Sequence, residues 1–124
     1  MSRDPALPRL NLLVIRSSDI DRAAAFYRHL GLSFTRHAHG SGPEHYAAEL
    51  NDMVFEIYPA SLKWPLTIGT RIGFVVSELD AVVAALAIAG AMVQTPPTDS
   101  EWGRRAVVKD PDGHIVELTQ ATPS

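Results

Sequence analysis

From Leu10 to Arg16 the chain reads LNLLVIR, a short run of branched apolar residues with the pattern of a β-strand. Ser17-Ser18-Asp19 then supplies side chains able to cap a helix. Behind them Ile20, Ala23, Ala24, Tyr27 and Leu30 recur at helical spacing, which predicts a helix over 20–30, stopped by Gly31. The same succession returns at Arg71. Arg-Ile-Gly-Phe-Val-Val predicts a strand, Ser77-Glu78 stands where a cap belongs, and Leu79, Val82, Val83 and Leu86 form the apolar face of a helix over 79–89 before Gly90. Asp19 and Glu78, Asp21 and Asp80, and Gly31 and Gly90 all keep an offset of 59, so the sequence predicts a duplicated unit.

Each helix is followed by material for three strands. In the first half they fall near Ser33–His39, Glu44–Leu50 and Met53–Tyr58, with turn chemistry at 39–43 and at Asn51-Asp52. In the second half they fall near Ala91–Thr95, Arg104–Lys109 and His114–Gln120, with turns assigned to Thr95-Pro96-Pro97 and to Asp110-Pro111-Asp112-Gly113. The expected fold is α+β, a single domain over 1–124 with two tandem βαβββ modules forming cupped mixed sheets, helices outside. Module one covers about 9–58, the connector 59–70 and module two about 71–120. Strand alternation sets Leu13, Ile15, Ile72 and Phe74 against the helices. It turns Leu12, Arg71, Glu56 and Glu117 to the concave faces, with Tyr58 on the Glu56 face and Tyr46 expected as a lining residue on a neighbouring strand.

Composition narrows the function classes. Of 124 residues, 46% are hydrophobic and 20% charged, which is ordinary globular material. A net charge of −3 gives no cationic field for a nucleic-acid backbone, and the absence of cysteine excludes disulfides and thiolate metal sites. MSRDPALPRL lacks the apolar run of a signal peptide, and no stretch is long enough to span a bilayer. Ala81–Ala91, rich in alanine, is read as a helix packed inside the protein. A cytoplasmic location is the default expectation, with no nucleic-acid or membrane partner.

The segments Ser18-Asp19-Ile20-Asp21, Ala25-Phe26-Tyr27, Leu30-Gly31-Leu32, Phe74-Val75-Val76, Leu79-Asp80, Trp102-Gly103 and 110–118 (DPDGHIVEL) occur in an order that resembles the vicinal oxygen chelate superfamily. That superfamily includes glyoxalase I, extradiol dioxygenases, fosfomycin-resistance enzymes and bleomycin-binding proteins. The resemblance runs from about Leu10 to Gln120 and implies that metal ligands, where present, come from the first and last strands of each module. Here those positions are Leu12, Glu56, Arg71 and Glu117. Only the glutamates match; leucine has no donor atom and arginine repels a cation. The ligand set is therefore incomplete: no cofactor is expected, and any divalent metal would rest on Glu56 and Glu117 alone.

The readings of the site residues follow. Arg71 is expected between Glu56 and Glu117, either as an ion network or as the receiver of an anionic or carbonyl-bearing ligand, with a glutamate as base. Leu12, Tyr58, Tyr46 and Arg104 join the ligand-lining set, since Arg104-Arg105 must send one guanidinium to each sheet face. Trp102 and Trp64 are expected either over the pocket or at a dimer interface. His37, His39 and His45 are read as a polar hairpin tip, with metal binding as the alternative; His114 is assigned a structural role. The leading expectation is a metal-independent small-molecule-binding protein, homodimeric as its relatives commonly are. The alternatives are a glyoxalase-like lyase, isomerase or dioxygenase using Glu56, Glu117 and Arg71 catalytically, and a dimeric interaction module with a filled pocket.

Overall fold

Asp4, residues 6–38 and residues 40–122 are described by the computed structural model. The elements run β1 (Leu12–Ser17), α1 (Ile20–Arg28), β2 (Phe34–His37), β3 (His45–Leu50), β4 (Met53–Pro59), β5 (Arg71–Val76), α2 (Leu79–Ile88), β6 (Met92–Ser100), β7 (Gly103–Lys109) and β8 (Ile115–Gln120). They form two four-stranded sheets of equivalent order, β1-β4-β3-β2 and β5-β8-β7-β6. In each, the first strand pairs parallel to the last and the others pair antiparallel. These are the two tandem modules the repeat predicts.

Both helices stop where a left-handed residue is required: Gly31 has φ 105° and Gly90 has φ 94°. Their starts differ. The Asp19 carboxylate accepts from the Arg22 N–H (3.1 Å), whereas Glu78 makes no such bond. The first N–H of α2 is instead satisfied across space, Leu79 donating to Gln120 Oε1 (2.8 Å) on β8.

The second-half turn assigned to Thr95-Pro96-Pro97 is not one. β6 runs through both prolines to Ser100, and the chain turns at Glu101-Trp102. The prolines are tolerated because β6 is the edge strand of its sheet, where a missing N–H costs no ladder bond. Register shifts between Val93 and Thr95 and between Thr95 and Thr98 absorb the misfit. The alanine-rich α2 is likewise not wrapped in protein: Leu79, Val83 and Leu86 are buried, but Ala81, Ala84, Ala87 and Ile88 are exposed.

The helix-bearing faces of both sheets feed one core. Ile15, Tyr27, Phe55 and Ile57 of module one join Leu79, Leu86, Val108, Val116 and Leu118 of module two. Tyr27 packs edge-on against Phe55 (5.0 Å between centroids), and Phe74 lies 6.0 Å from each. Fully burying side chains of this size stabilises the fold by roughly 1.5–3 kcal/mol apiece. The opposite face of each sheet is left open, and that is where the candidate chemistry lies. No helix among the described residues is long and apolar enough to cross a membrane.

Candidate functional site

The β7–β8 turn brings together the most buried polar groups. Asp110 Oδ1 accepts from the N–H groups of Asp112, Gly113 and His114, and Oδ2 accepts from the Tyr27 hydroxyl (2.7 Å) and from His114 Nδ1 (2.8 Å). His114 Nε2 meets the Thr67 hydroxyl (2.6 Å), which also accepts from the Arg16 N–H. Asp112 accepts from the hydroxyls of Ser17 and Ser18 and from the Ser18 N–H. Burial alone would raise the Asp110 carboxyl, but the bonds from His114 and Tyr27 outweigh it and hold it below the ordinary carboxylate range. Burial, reinforced by the Asp110 charge, pushes the Tyr27 phenol far up, so it stays a donor. Asp110, Asp112 and His114 bring ligand-type atoms within 4.8 Å of one another, and these atoms bond within the turn, to Thr67 of the connector, and to Tyr27, Ser17 and Ser18 of module one. The cluster is a structural rivet, as expected for His114. A crevice of about 390 Å³ lies beside it, lined by α1, the Ala89–Met92 segment and residues 109–113.

On the open face of the first sheet, β4 presents Val54, Glu56 and Tyr58, and β1 presents Leu12, Val14 and Arg16 in register with them. His45 lies on the same face of β3 and is only 2% exposed. Its ring stacks on Tyr58 at 4.1 Å and 8°, its Nδ1 donates to the Pro43 carbonyl, and its Nε2 stands 3.6 Å from Glu56 Oε2. The Arg16 guanidinium lies over both Tyr58 (4.9 Å) and Trp64 (5.3 Å) and donates to the Pro59 carbonyl. The result is a row of stacked groups, His45, Tyr58, Arg16 and Trp64, with a carboxylate beside it.

On the open face of the second sheet, Arg71, Gly73 and Val75 of β5 stand beside Ile115, Glu117 and Thr119 of β8, followed by Arg105, Val107 and Lys109 of β7. Glu117 Oε1 accepts from Arg71 and from Arg105 (2.9 Å). Arg71 and Glu117 therefore meet, but Glu56 takes His45 as its partner on the other sheet, and the network expected across both glutamates does not form within the protomer.

Two lining residues are corrected. Tyr46 lies on the helix side, paired with Ile57, and donates to Asp21 Oδ1 (2.5 Å). The two-residue Asn51-Asp52 turn carried the signal, because pairing Leu50 with Met53 puts Ala47, not Tyr46, beside Glu56. Arg104 also turns to the helix side, clasping Asp80 (2.8 Å) and Asp99 (3.0 Å); Arg105 is the guanidinium on the open face. Trp102 sits at the tip of the β6–β7 hairpin, 82% exposed. His37 stands opposite His45 in register; His45 is buried rather than part of an exposed tip, and His39 lies outside the described residues. Sequence reasoning missed His45, Arg16 and Arg105 as members of these faces. Arg16 was recoverable from alternation, whereas Arg105 depends on the register of β7 with β8 and the burial of His45 on Tyr58 across the sheet.

The four positions from which relatives are expected to draw metal ligands do not fit a divalent cation here. Leu12 offers no donor, and Glu117 already lies between two guanidiniums. Glu56 stands in the other sheet, with the His45 imidazole as its neighbour.

Solved structures with this fold include TnmS3, an antibiotic-binding protein from Streptomyces sp. CB03234, at 24% identity and TM-score 0.76, covering 96% of this chain and 100% of that one. A hypothetical protein from S. aureus matches at 19% identity and TM-score 0.75, covering 93% and 95%. The oxidase ChaP-H2 matches at 23% identity and TM-score 0.72, covering 94% and 97%. At these identities the likeness is one of fold. Among curated proteins, none matches the chain by sequence. Residues 9–118 match the model of one family over almost the entire two-module repeat, and the chain belongs to the Glyoxalase/Bleomycin resistance protein/Dioxygenase superfamily.

Proposed function

We propose that the chain is a metal-independent small-molecule-binding protein that works as a homodimer, its ligand held between the open face of one module and the unlike open face of a second copy. The observation that carries the reading is the open face of the first sheet, where Tyr58, Arg16 and the half-exposed Trp64 stand together beside the Glu56 carboxylate, aromatic surface with a polar edge that suits a small organic molecule. The likeness to an antibiotic-binding protein points the same way. Metal independence rests on the donor set, in which a leucine and an arginine stand at two of the four family positions. Dimerisation rests on the exposed apolar side chains Leu12 and Val75 on the two faces and on their charges. The first face carries Glu49 and Glu56 against Arg16, the second Arg71, Arg105 and Lys109 against Glu117. Unlike faces of two copies attract, whereas like faces repel.

Elemental analysis of untagged protein, grown with nickel, zinc, iron and manganese and purified without chelator, tests the chemistry. Less than about a tenth of an equivalent is expected. Near one equivalent per chain would overturn metal independence and favour the lyase, isomerase or dioxygenase reading. Sedimentation equilibrium should show a dimer, and Val75→Glu should shift it toward monomer.

A further inference from the structure

Resting on that small-molecule reading, we infer that Arg71 and Arg105 form an anion receptor, so that the ligand is a planar molecule bearing a delocalised oxyanion: a carboxylate or an ionised phenol or enol. Both guanidiniums converge on one oxygen, Glu117 Oε1. One carboxylate neutralises only one of them, and among the described residues neither has a second acidic partner. Each spends one N–H on Glu117 and keeps most of its donor fork unspent. Both side chains are open to a ligand, Arg71 at 62% and Arg105 at 40% exposure. Two guanidiniums against one carboxylate leave this face cationic in a protein whose net charge is −3. A positive patch against that background is a local feature and not a reflection of overall composition.

The geometry also specifies the oxyanion's shape. A guanidinium fork matches a planar, two-oxygen acceptor better than a point charge does. Around the pair the surface is apolar, with Val107 buried beneath, Ile115 half-buried and Val75 71% exposed, which suits an anion attached to a hydrophobic body. Glu117 acts in this arrangement as a positioning residue. It holds two like charges together in the free protein and competes with the ligand for the same donors. That role gives an unusual expectation: removing its charge strengthens anion binding.

The test uses two probes with one ring system, 2-naphthoate and the neutral 2-naphthalenemethanol, titrated into the full chain at low salt. Binding is read by calorimetry and by the ¹H–¹⁵N signals of the arginine side chains. Naphthoate should bind about tenfold or more tightly than the alcohol, as expected for hydrogen bonds to a charged group, and should move the Arg71 and Arg105 signals. Arg71→Gln and Arg105→Gln should each shrink that preference. Glu117→Gln should raise naphthoate affinity. Equal affinity for both probes, or naphthoate that leaves the two arginine signals unmoved, overturns the receptor. Small-molecule binding itself is judged separately, by whether the neutral probe perturbs Tyr58 and Trp64.

Discussion

The last hairpin of each module joins equivalent strands in equivalent sheets, yet the two turns do opposite things. The β3–β4 turn is two residues long, exposed, and uses Asn51 at φ 52° to reverse the chain. The β7–β8 turn is five residues long, folds around a buried carboxylate, and reaches across to Tyr27, Ser17 and Thr67 of the first module and connector. Duplication therefore supplied two copies of a module, and one turn of the second became the joint between them. A repeat is stable only where it meets its neighbour, and here a few polar bonds, together with the ring cluster, set that meeting.

The largest effect should come from breaking this contrast directly. Asp110→Ala strands Tyr27, His114 and three backbone N–H groups, and should cost about 3–5 kcal/mol in urea denaturation, because several buried donors lose their acceptor at once. Asp52→Ala at the equivalent turn should stay within about 0.5 kcal/mol. Comparable losses at both would mean that the second turn is not the joint.

The same carboxylate sets the acid limit. Its folded-state value lies below that of the unfolded chain, so its contribution is fully present above the unfolded value near pH 4 and fades as pH falls through the folded one. Wild-type stability should decline below about pH 4, and Asp110→Asn should flatten that decline while lowering stability at neutral pH. An unchanged acid slope would assign the decline to other carboxylates.

The helix starts offer a finer comparison. Asp19→Ala removes a cap and should cost about 1 kcal/mol. Glu78→Ala, which removes no such bond, should change stability by less than about 0.5 kcal/mol. Gln120→Ala should behave like the loss of a cap, although it lies 41 residues from the N–H it serves. Each helix also clasps an arginine through its first-turn acid: Asp21 holds Arg36, which also meets Glu44, and Asp80 holds Arg104, which also meets Asp99. The arginine comes from β2 in the first module and from β7 in the second, so the clasp recurs in chemistry but not in position. The Tyr46 hydroxyl and Arg36 hold Asp21 below the usual carboxylate range, and Arg104 does the same for Asp80. Arg36→Ala and Arg104→Ala should each cost about 0.2–1 kcal/mol, and these losses should shrink in high salt.

Local rules made the repeat, the helix faces and the outward direction of Glu56, Glu117 and Arg71 legible, because period and side-chain direction depend only on near neighbours. Tyr46 and Arg104 were misplaced because their partners depend on register between strands. Pro96-Pro97 read as a turn because edge position is a property of the whole sheet and not of the segment. The pairing of Glu56 with His45 instead of Arg71 was out of reach for the same reason. Residues that share a direction still need a known sheet before they share a site.

The two prolines of β6 have a consequence beyond their own strand. They interrupt the outer edge of the second sheet, while the outer strand of the first, β2, is only four residues long. A neighbouring molecule thus finds no long regular row of unpaired backbone groups at either outer edge on which to lay a strand. Growth into fibrils by strand addition is opposed at those two edges.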